Sequence, residues 1–290
     1  MKIHIDPRTN IVFASSYIYG LYELYGKRNV IFSIKYFKDL KQNKGLDDFD
    51  QYFSFVMVDK KTVVKRISVD FRDKNNYSLT ALQWCDVYAK VNFNSKIKDY
   101  INLNNDLKAK VVSFGPNFTF RIWTKTETYI NFLKNYIKGI NRHPVSFRKL
   151  MSGYNFQLKR AAYKSYTKTE SKDNYIFFVS NLYEEKERTT SETDEYLKTT
   201  NFNRAKYIKA CKNSEYQFEG GLVAKPNHPN KEKYQKVITG QYYEPNVYLE
   251  KIKKSSIVFN TSTLWGAHGW KILEYLAMGK AIIALPFHNE

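Results

Sequence analysis

Cysteine, proline, glycine and acidic residues are all scarce in this chain of 290 residues. The two cysteines, Cys85 and Cys211, lie far apart and have no metal-ligand spacing, which argues against a disulfide framework and a zinc module. No apolar run approaches the roughly 20 residues that a membrane-spanning helix needs. The N-terminal sequence MKIHIDPRTN has one lysine followed by a strand-like alternation and does not resemble a secretory signal. These features predict a cytoplasmic protein in a reducing compartment.

The chain carries a large excess of positive charge. Lys and Arg number 47 against 28 Asp and Glu, which gives a net charge of +19. Such a field favours anionic partners, namely nucleic acid, an anionic membrane or phosphorylated small molecules, although scattered lysines are also typical of an ordinary solvated surface. No RNA-recognition, zinc-finger or helix-turn-helix pattern is present, which disfavours nucleic acid. Peripheral contact with an anionic membrane, at about 1 kcal/mol per nearby lysine, fits at least as well.

Hydrophobic periodicity in residues 1–163 alternates between strand and helix patterns. Residues 11–25 predict a helix with one apolar face, formed by Ile11, Ala14, Ser15, Ile18, Leu21, Tyr22 and Tyr25. Short apolar strands surround it, at residues 3–6, 29–34, 52–58, 62–71, 87–91 and 110–114. Residues 125–163 are helical in character, with a break at His143-Pro144. Strands that alternate with helices predict an α/β domain with βαβ units and a parallel sheet.

A polar segment separates this domain from a second α/β pattern. Residues 164–174, KSYTKTESKDN, have no periodicity and are predicted to be a linker between a domain at 1–163 and one at 175–290. The second pattern begins with the buried strand YIFFV at 175–179 and ends with a buried strand at 281–285. A parallel strand normally leads into a covering helix, so we expect this chain to be a piece of a longer protein.

The strongest local signal is the segment IVFNTSTLWGAHGWKILEYLAMGKAIIALP at 257–286. It predicts a strand, a glycine-containing turn, a helix, a glycine cap and a second strand. Such a turn brings a helix N-terminus to the carboxyl edge of a sheet, where free amides favour a diphosphate. Gly266 and Gly269 allow close approach to a ligand, and Lys271 suits a phosphate unless it is simply exposed. The Glu274 carboxylate can accept from both hydroxyls of a ribose.

This segment resembles a known family. KILEYLAMGKAII is similar to the nucleotide-sugar segment of GT-B glycosyltransferases, in particular the bacterial group 1-like family. In that family the helix glutamate binds the ribose, a role that the resemblance assigns to Glu274, and the preceding turn approaches the sugar and diphosphate, here Gly266 to Gly269. Many retaining members carry another glutamate eight residues before it, where this chain has Gly266, which leaves inversion or retention of the sugar open.

The resemblance implies an α/β fold of two Rossmann-like domains, the GT-B fold, with the C-terminal helices of the second domain lacking. It implies a glycosyltransferase of polysaccharide biosynthesis that moves a sugar from a nucleotide-sugar donor to a surface-glycan or lipid-linked acceptor. No cofactor is implied beyond the donor, which is a substrate. With the charge, it predicts a cytoplasmic protein at the inner face of a membrane.

Other site residues follow from their positions. Ser180 and Asn181 end a buried strand and are candidates for donor binding. Arg204 is a candidate for the diphosphate, the alternative being an ordinary exposed arginine. For acid–base catalysis at the acceptor the candidates follow strands or lie in the glycine turn, and each is equally a turn former or cap: Asp6, Asp70, Asp73 and His268.

We predict no required metal. Asp48-Phe49-Asp50 has the Asp-x-Asp spacing of the other large glycosyltransferase fold, but that motif follows an apolar strand and this one precedes a strand. Two other functions remain open. One is a sugar-nucleotide epimerase on the same fold, which is disfavoured because the turn is poor in carboxylates. The other is a non-catalytic basic protein that binds an anionic polymer or membrane.

Overall fold

The computed structural model is a mixed α/β protein. It describes residues 1–40, 52–139, 147–185, 192–262, 264–267 and 269–286. The chain divides into two compact units, Met1–Tyr163 and Lys164–His288. The predicted helix break at His143-Pro144 and the Asp48-Phe49-Asp50 motif lie outside the described residues.

The first unit contains six strands and six helices within its described residues. The strands are β1 (Lys2–Ile5), β2 (Val30–Phe32), β3 (Tyr52–Asp59), β4 (Thr62–Asp70), β5 (Val87–Lys90) and β6 (Val111–Ser113). The helices are α1 (Ile11–Tyr25), α2 (Leu79–Trp84), α3 (Lys98–Ile101), α4 (Asn105–Lys108), α5 (Lys125–Gly139) and α6 (Phe147–Lys159). Short 3₁₀ turns lie at Lys27–Asn29, Ile34–Tyr36 and Tyr163–Tyr166.

The second unit alternates strands and helices. Its strands are β7 (Tyr175–Asn181), β8 (Gln217–Val223), β9 (Ile257–Asn260) and β10 (Ala281–Ala284). Its helices are α7 (Glu192–Lys212), α8 (Lys231–Tyr234), α9 (Pro245–Lys254) and α10 (Lys271–Ala277), with 3₁₀ turns at Gln235–Val237 and Leu264–Gly266.

Helix α1 confirms the predicted span. The side chain of Asn10 caps it by accepting a hydrogen bond from the Val12 amide, and the chain leaves it at Gly26, whose φ is 78°. The predicted apolar face is buried at five of its seven positions: Ile11, Ala14, Ser15, Ile18 and Leu21. Burial of one such large aliphatic side chain stabilises the unit by about 1.5–3 kcal/mol.

The sheet of the first unit has the order β2-β1-β3-β4-β5-β6 and is mixed. The predicted parallel pairing is wrong for β3, which runs antiparallel to both β1 and β4. For β3 and β4 the reason is the connection: Lys60 and Lys61 alone join them, and parallel strands need a crossover of a dozen or more residues. The other neighbouring pairs are parallel.

Helices cover both faces of this sheet. Alternate residues of a strand point to opposite faces, so Phe53 packs with the α1 and α6 side whereas Val56 packs with the α2 side. The first core includes Ile3, Ile5 and Trp123, and the second includes Tyr88, which is fully buried. Both faces therefore exclude water.

Strands β7 and β8 are parallel and unusually close at one point. A Cβ at Gly220 would lie 2.0 Å from the Phe178 carbonyl oxygen, and one at Gly221 would lie 2.6 Å from that of Val237. Both residues have positive φ, 124° and 150°. The Gly-Gly pair is therefore required by the packing of β8 against its two neighbours.

The polar segment 164–174, predicted to be a linker, belongs to the second unit. The Lys172 amide donates to the Lys254 carbonyl oxygen, and the Lys280 ammonium donates to Ser171 Oγ at 2.9 Å. These bonds attach the predicted linker to the end of α9.

Among the described residues, every helix is too short or too polar to cross a membrane. The longest, α7, is strongly charged along its length.

The β3–β4 turn provides a stability test. Lys60 and Lys61 have φ of 44° and 76°, a left-handed pair that favours Asn-Gly. We expect Lys60→Asn with Lys61→Gly to raise the free energy of unfolding by about 1 kcal/mol in a urea titration, because strain at both residues is relieved. Lys60→Gln with Lys61→Gln removes the same charges and keeps the strain, so an equal gain there contradicts the conformational explanation.

Candidate functional site

The candidate site lies at the carboxyl ends of β7 and β9 in the second unit. At the other end of these strands, the Ser256 amide donates to the Tyr175 carbonyl oxygen at 2.9 Å, and the Phe177 amide donates to Ser255 Oγ at 2.9 Å. The starts of β7 and β9 are thus adjacent. Arg204 connects their ends, as described below, so the two strands run in the same direction.

Strand β9 lies on the opposite side of β7 from β8. The Asn174 carbonyl and the Leu182 amide face β8. The Asn174 carbonyl accepts from the Gln217 amide, and the Leu182 amide donates to the Val223 carbonyl. Backbone groups of successive residues point to alternate sides of a strand, so the carbonyls of Val179 and Asn181 face β9 instead. The two strands nevertheless belong to separate two-stranded sheets. The hydrogen-bond ladder between β7 and β9 is interrupted. At the carboxyl ends of the two strands, two cationic side chains bond to the backbone instead.

Arg204 of α7 is the first of these cations. Its Nη1 donates to the Asn181 carbonyl oxygen at 2.8 Å, and its Nε donates to Thr261 Oγ1 at 3.2 Å, directly after β9. The guanidinium also lies over the Tyr183 ring, 4.5 Å from its centroid. The side chain is only 5% exposed, so the exposed-arginine alternative is wrong. Arg204 is locked at the ends of both strands.

Lys271, the first residue of α10, is the second cation. Its Nζ donates to the Val179 carbonyl oxygen at 2.6 Å and lies near the rings of Phe178 and Tyr248. Burial of the ammonium and the charge of Arg204 lower the pKa of Lys271 to about 8, and the charge of Glu274 offsets part of this effect. The ammonium is therefore held against the sheet edge with a lowered pKa.

Glu274 follows Lys271 by one turn of α10. It is 8% exposed, and its charge acts on the Lys271 ammonium. Burial, the neighbouring Tyr275 and the charge of Glu274 raise the pKa of the Tyr248 hydroxyl. One carboxylate and two cations are thus grouped in a largely buried site.

The turn that enters α10 has an irregular backbone. Trp265 has φ 53° and ψ 30°, and Gly266 has φ 71°. Gly266, Ala267 and Gly269 are buried, and the Gly269 carbonyl accepts from the Ile272 amide at 3.1 Å. Helix α10 has only seven residues, so its dipole adds little to an anion site. His268 lies outside the described residues.

The remaining predicted donor residues line the strand ends. Ser180 is half-buried and Asn181 is exposed at the end of β7. Asn260 ends β9 and is 3% exposed, and its Nδ2 finds no acceptor within the described part of the chain. The structure therefore brings Ser180, Asn181, Arg204, Lys271 and Glu274 to one edge of the second unit.

Two predicted acid–base residues of the first unit form ion pairs. Asp6 Oδ1 accepts from the Arg8 amide at 2.9 Å, and Arg8 Nη2 donates to Asp6 Oδ2 at 2.6 Å. Asp70 and Arg72 repeat the arrangement. Asp70 Oδ1 accepts from the Arg72 amide at 3.1 Å, and Arg72 Nη2 donates to Asp70 Oδ2 at 2.6 Å. Asp6 directly follows β1 and Asp70 is the last residue of β4, the two strands that flank β3, and both aspartates are almost fully buried. This geometry fits the turn-forming alternative, because neither carboxylate is available as a free base.

Asp70 is the centre of a larger buried network. Lys90 Nζ donates to its Oδ2 at 3.0 Å, and the Tyr88 hydroxyl donates to the same oxygen at 2.6 Å. Burial alone raises the pKa of Asp70, but the charges of Lys90 and Arg72 outweigh it, so the pKa lies below its ordinary value of 3.8. Asp73, three residues further, is half-buried, and its carbonyl accepts from Asn92.

Sequence reasoning missed the partners of these aspartates: Arg8, Arg72, Tyr88 and Lys90. The signal was present, because Asp6-Pro7-Arg8 and Asp70-Phe71-Arg72 share an Asp-x-Arg pattern at the end of a predicted strand. An Asp that bonds the amide two residues later is a common turn former, and a following Arg can then clamp it in a bidentate pair.

Within the described residues, no three His, Cys, Asp or Glu side chains lie together as a metal site. Both cysteines are buried and free, and burial raises the pKa of Cys85 to about 12. Comparison of the chain with protein-family models, with curated proteins and with solved structures finds no match in any of the three.

The Asp70 network provides a pH test. A carboxyl whose folded pKa is lowered stabilises the protein above its unfolded pKa, and this contribution is lost as the pH falls through the folded value. We expect Asp70→Asn to cost about 3–5 kcal/mol at pH 7, because it leaves Lys90 and Arg72 buried without a counter-charge. Urea unfolding should show this difference shrinking once the pH is below 3.8.

The exposed Asp106 of α4 provides the matched control. Asp106→Asn should change the free energy of unfolding by no more than about 0.5 kcal/mol at either pH. A cost for Asp70→Asn that is the same at both pH values contradicts the charge explanation.

Proposed function

We propose that the chain is a metal-independent glycosyltransferase of the GT-B type and that its second unit binds the nucleotide-sugar donor. One observation carries the proposal: Arg204, Lys271 and Glu274 converge at the carboxyl ends of β7 and β9. Ligands of open α/β sheets bind at that edge, where the direction of strand order reverses.

The strand layout of the second unit supports a Rossmann-like domain. A bridge joins Leu222 of β8 to Ile238, so that Ile238, β8, β7, β9 and β10 follow one another in space. The chain moves outward from β7 on one side and then continues with β9 on the other. The order therefore reverses between β7 and β9, where the two cations lie. For the first unit, the mixed sheet supports only the coarser α/β class, and two Rossmann-like domains remain part of the proposal.

The chemistry of the site suits a nucleotide-sugar. Transfer breaks the bond between the sugar and the diphosphate, and the acceptor oxygen forms the new bond and passes its proton to a base, for which Asp73 and His268 are the remaining candidates. The departing diphosphate takes up the electron pair, and its negative charge is stabilised by Arg204 and protonated Lys271. Glu274 accepts hydrogen bonds from the ribose hydroxyls. Ser180 and Asn181 are assigned to the rim of the same site.

We assign the acceptor, a surface glycan or lipid-linked saccharide, to the first unit. The net charge of +19 fits work at the cytoplasmic face of an anionic membrane. His268 and Asp73 stay predictions as acid–base groups.

One observation favours a second candidate, a binding protein without transfer activity. Asp6 and Asp70 are both neutralised by arginines, which removes two candidate bases. Release of free nucleoside diphosphate from a bound donor distinguishes the transferase from the binding protein, because a binding protein leaves the donor intact.

Donor binding tests the role of Glu274. Saturation-transfer NMR against UDP-, GDP- and CMP-sugars identifies the donor, and calorimetry gives its dissociation constant. We expect Glu274→Gln to weaken binding roughly tenfold or more, because a charged acceptor of the ribose hydroxyls is lost. Glu250→Gln, which changes an exposed side chain of α9 in the same unit, should leave the constant unchanged. Full affinity in the Glu274 variant excludes the ribose role.

The pKa of Lys271 predicts how binding changes with pH. An amine with a pKa of about 8 is charged at pH 7 and mostly neutral at pH 9. Donor affinity should therefore fall as the pH rises through this range, since a cation facing the diphosphate is lost. Lys271→Met should give weaker binding with a flatter pH profile. An unchanged profile in that variant shows that the ammonium does not contact the donor.

A further inference from the structure

Helix α5 in the first unit packs Phe132 and Tyr136 on the core but leaves four other apolar or aromatic side chains exposed. The residues it buries are Thr128, Phe132, Asn135 and Gly139, most of them small or polar. Its exposed side chains include Tyr129, Ile130, Leu133 and Ile137, with exposed fractions of 48%, 46%, 55% and 61%. At 3.6 residues per turn these four form one continuous stripe of about 100°. We call this stripe the outer face of α5.

A further exposed apolar side chain lies beside α5. Phe147, at the start of α6, packs edge-on against Tyr136 at 5.0 Å and is still 50% exposed. A contiguous apolar patch of this kind is rare on a monomeric protein and marks an interaction surface. Scattered exposed hydrophobic residues, such as Leu24 on α1, do not carry this meaning.

The charges around the outer face are positive. Lys134 follows Leu133 directly, Lys125 begins the helix, and Arg148 follows Phe147, whereas the Lys138 ammonium donates to the Phe32 carbonyl oxygen. The one acid of α5, Glu127, is paired with Lys27 at 2.5 Å. An apolar stripe bordered by lysines is typical of a helix that lies flat in the interface of an anionic bilayer.

We infer that the outer face of α5 is a membrane-docking surface, which binds anionic phospholipid by inserting Ile130, Leu133 and Ile137 while Lys125 and Lys134 contact the headgroups. The inference rests on the membrane contact in the proposed function and gives it a place in the fold. It requires no donor, so vesicle binding can fail while donor binding by the second unit stands, and the converse also holds.

Vesicle co-sedimentation of the full chain tests the inference. The vesicles contain phosphatidylcholine with about three parts in ten phosphatidylglycerol, and phosphatidylcholine alone serves as the neutral arm. We expect binding to the anionic vesicles, and a fall in the partition coefficient of at least about tenfold in the Leu133→Gln, Ile137→Gln double variant. Lys125→Gln with Lys134→Gln should weaken binding to anionic vesicles and leave the weak neutral binding unchanged.

Two exposed apolar residues provide matched controls. Leu24→Gln on α1 and Phe202→Gln on α7 remove side chains that are 77% and 62% exposed. Phe202 lines an open groove of about 930 Å³ that also contains Lys198, Lys206, Lys209, Lys233 and Lys236. This groove is the competing basic surface. Loss of vesicle binding with Phe202→Gln, and none with the α5 double variant, overturns the inference.

A labelling experiment covers the case of a variant that folds poorly. Both native cysteines are buried, so an environment-sensitive dye can be attached through Leu133→Cys, with Leu24→Cys as control. A blue shift on anionic vesicles at position 133 alone supports the inference, and no shift there overturns it. Sedimentation equilibrium supplies a further outcome: self-association that is lost in the double variant makes a second copy, and not lipid, the occupant of this face.

Discussion

The fold of the second unit depends on the hydrogen bonds that are made to the backbone of β7 along the edge that faces β9. Its carbonyls at Val179 and Asn181 face β9, yet hydrogen bonds from Lys271 and Arg204 reach them in place of strand amides. Buried carbonyls need donors, and charged donors supply stronger bonds than neutral ones. The same two side chains concentrate positive charge at the carboxyl ends of two strands. The two side chains that satisfy the backbone there are also the ones to which the proposed function assigns the diphosphate.

The first unit differs from the second in the sign of the charge at its strand ends. Its strand ends carry carboxylates, and each is neutralised by an arginine two residues later. At Asp70 a lysine and a tyrosine hydroxyl complete the network, so that a fully buried charge is compensated on several sides. The first unit therefore uses charge for structure at its sheet edge, whereas the second concentrates cations at the carboxyl ends of its strands.

Much of the local structure was predictable from periodicity. Helix α1, the strand Ile257–Asn260 and the helix before Gly279 follow from patterns of apolar residues and from caps. Strand direction was not predictable in the same way. The antiparallel β3 depends on the Lys60-Lys61 connection, and two lysines are not residues that normally form a left-handed turn. The Asp-x-Arg pairs were readable in principle, since their spacing is local, but the contacts of Asp70 with Tyr88 and Lys90 span 18 and 20 residues.

The order of residues in the chain was enough to establish an α/β class, a strongly basic surface and the apolar-glycine-glutamate pattern near residue 270. These properties depend on composition and on neighbours within a few positions. Tertiary packing decided which charges are buried, which carbonyls they cap and which face of α5 meets water, because each of these depends on groups distant in the chain. Arg204 illustrates the difference: nothing near it in sequence requires burial, and its partners Asn181 and Thr261 lie 23 and 57 residues away.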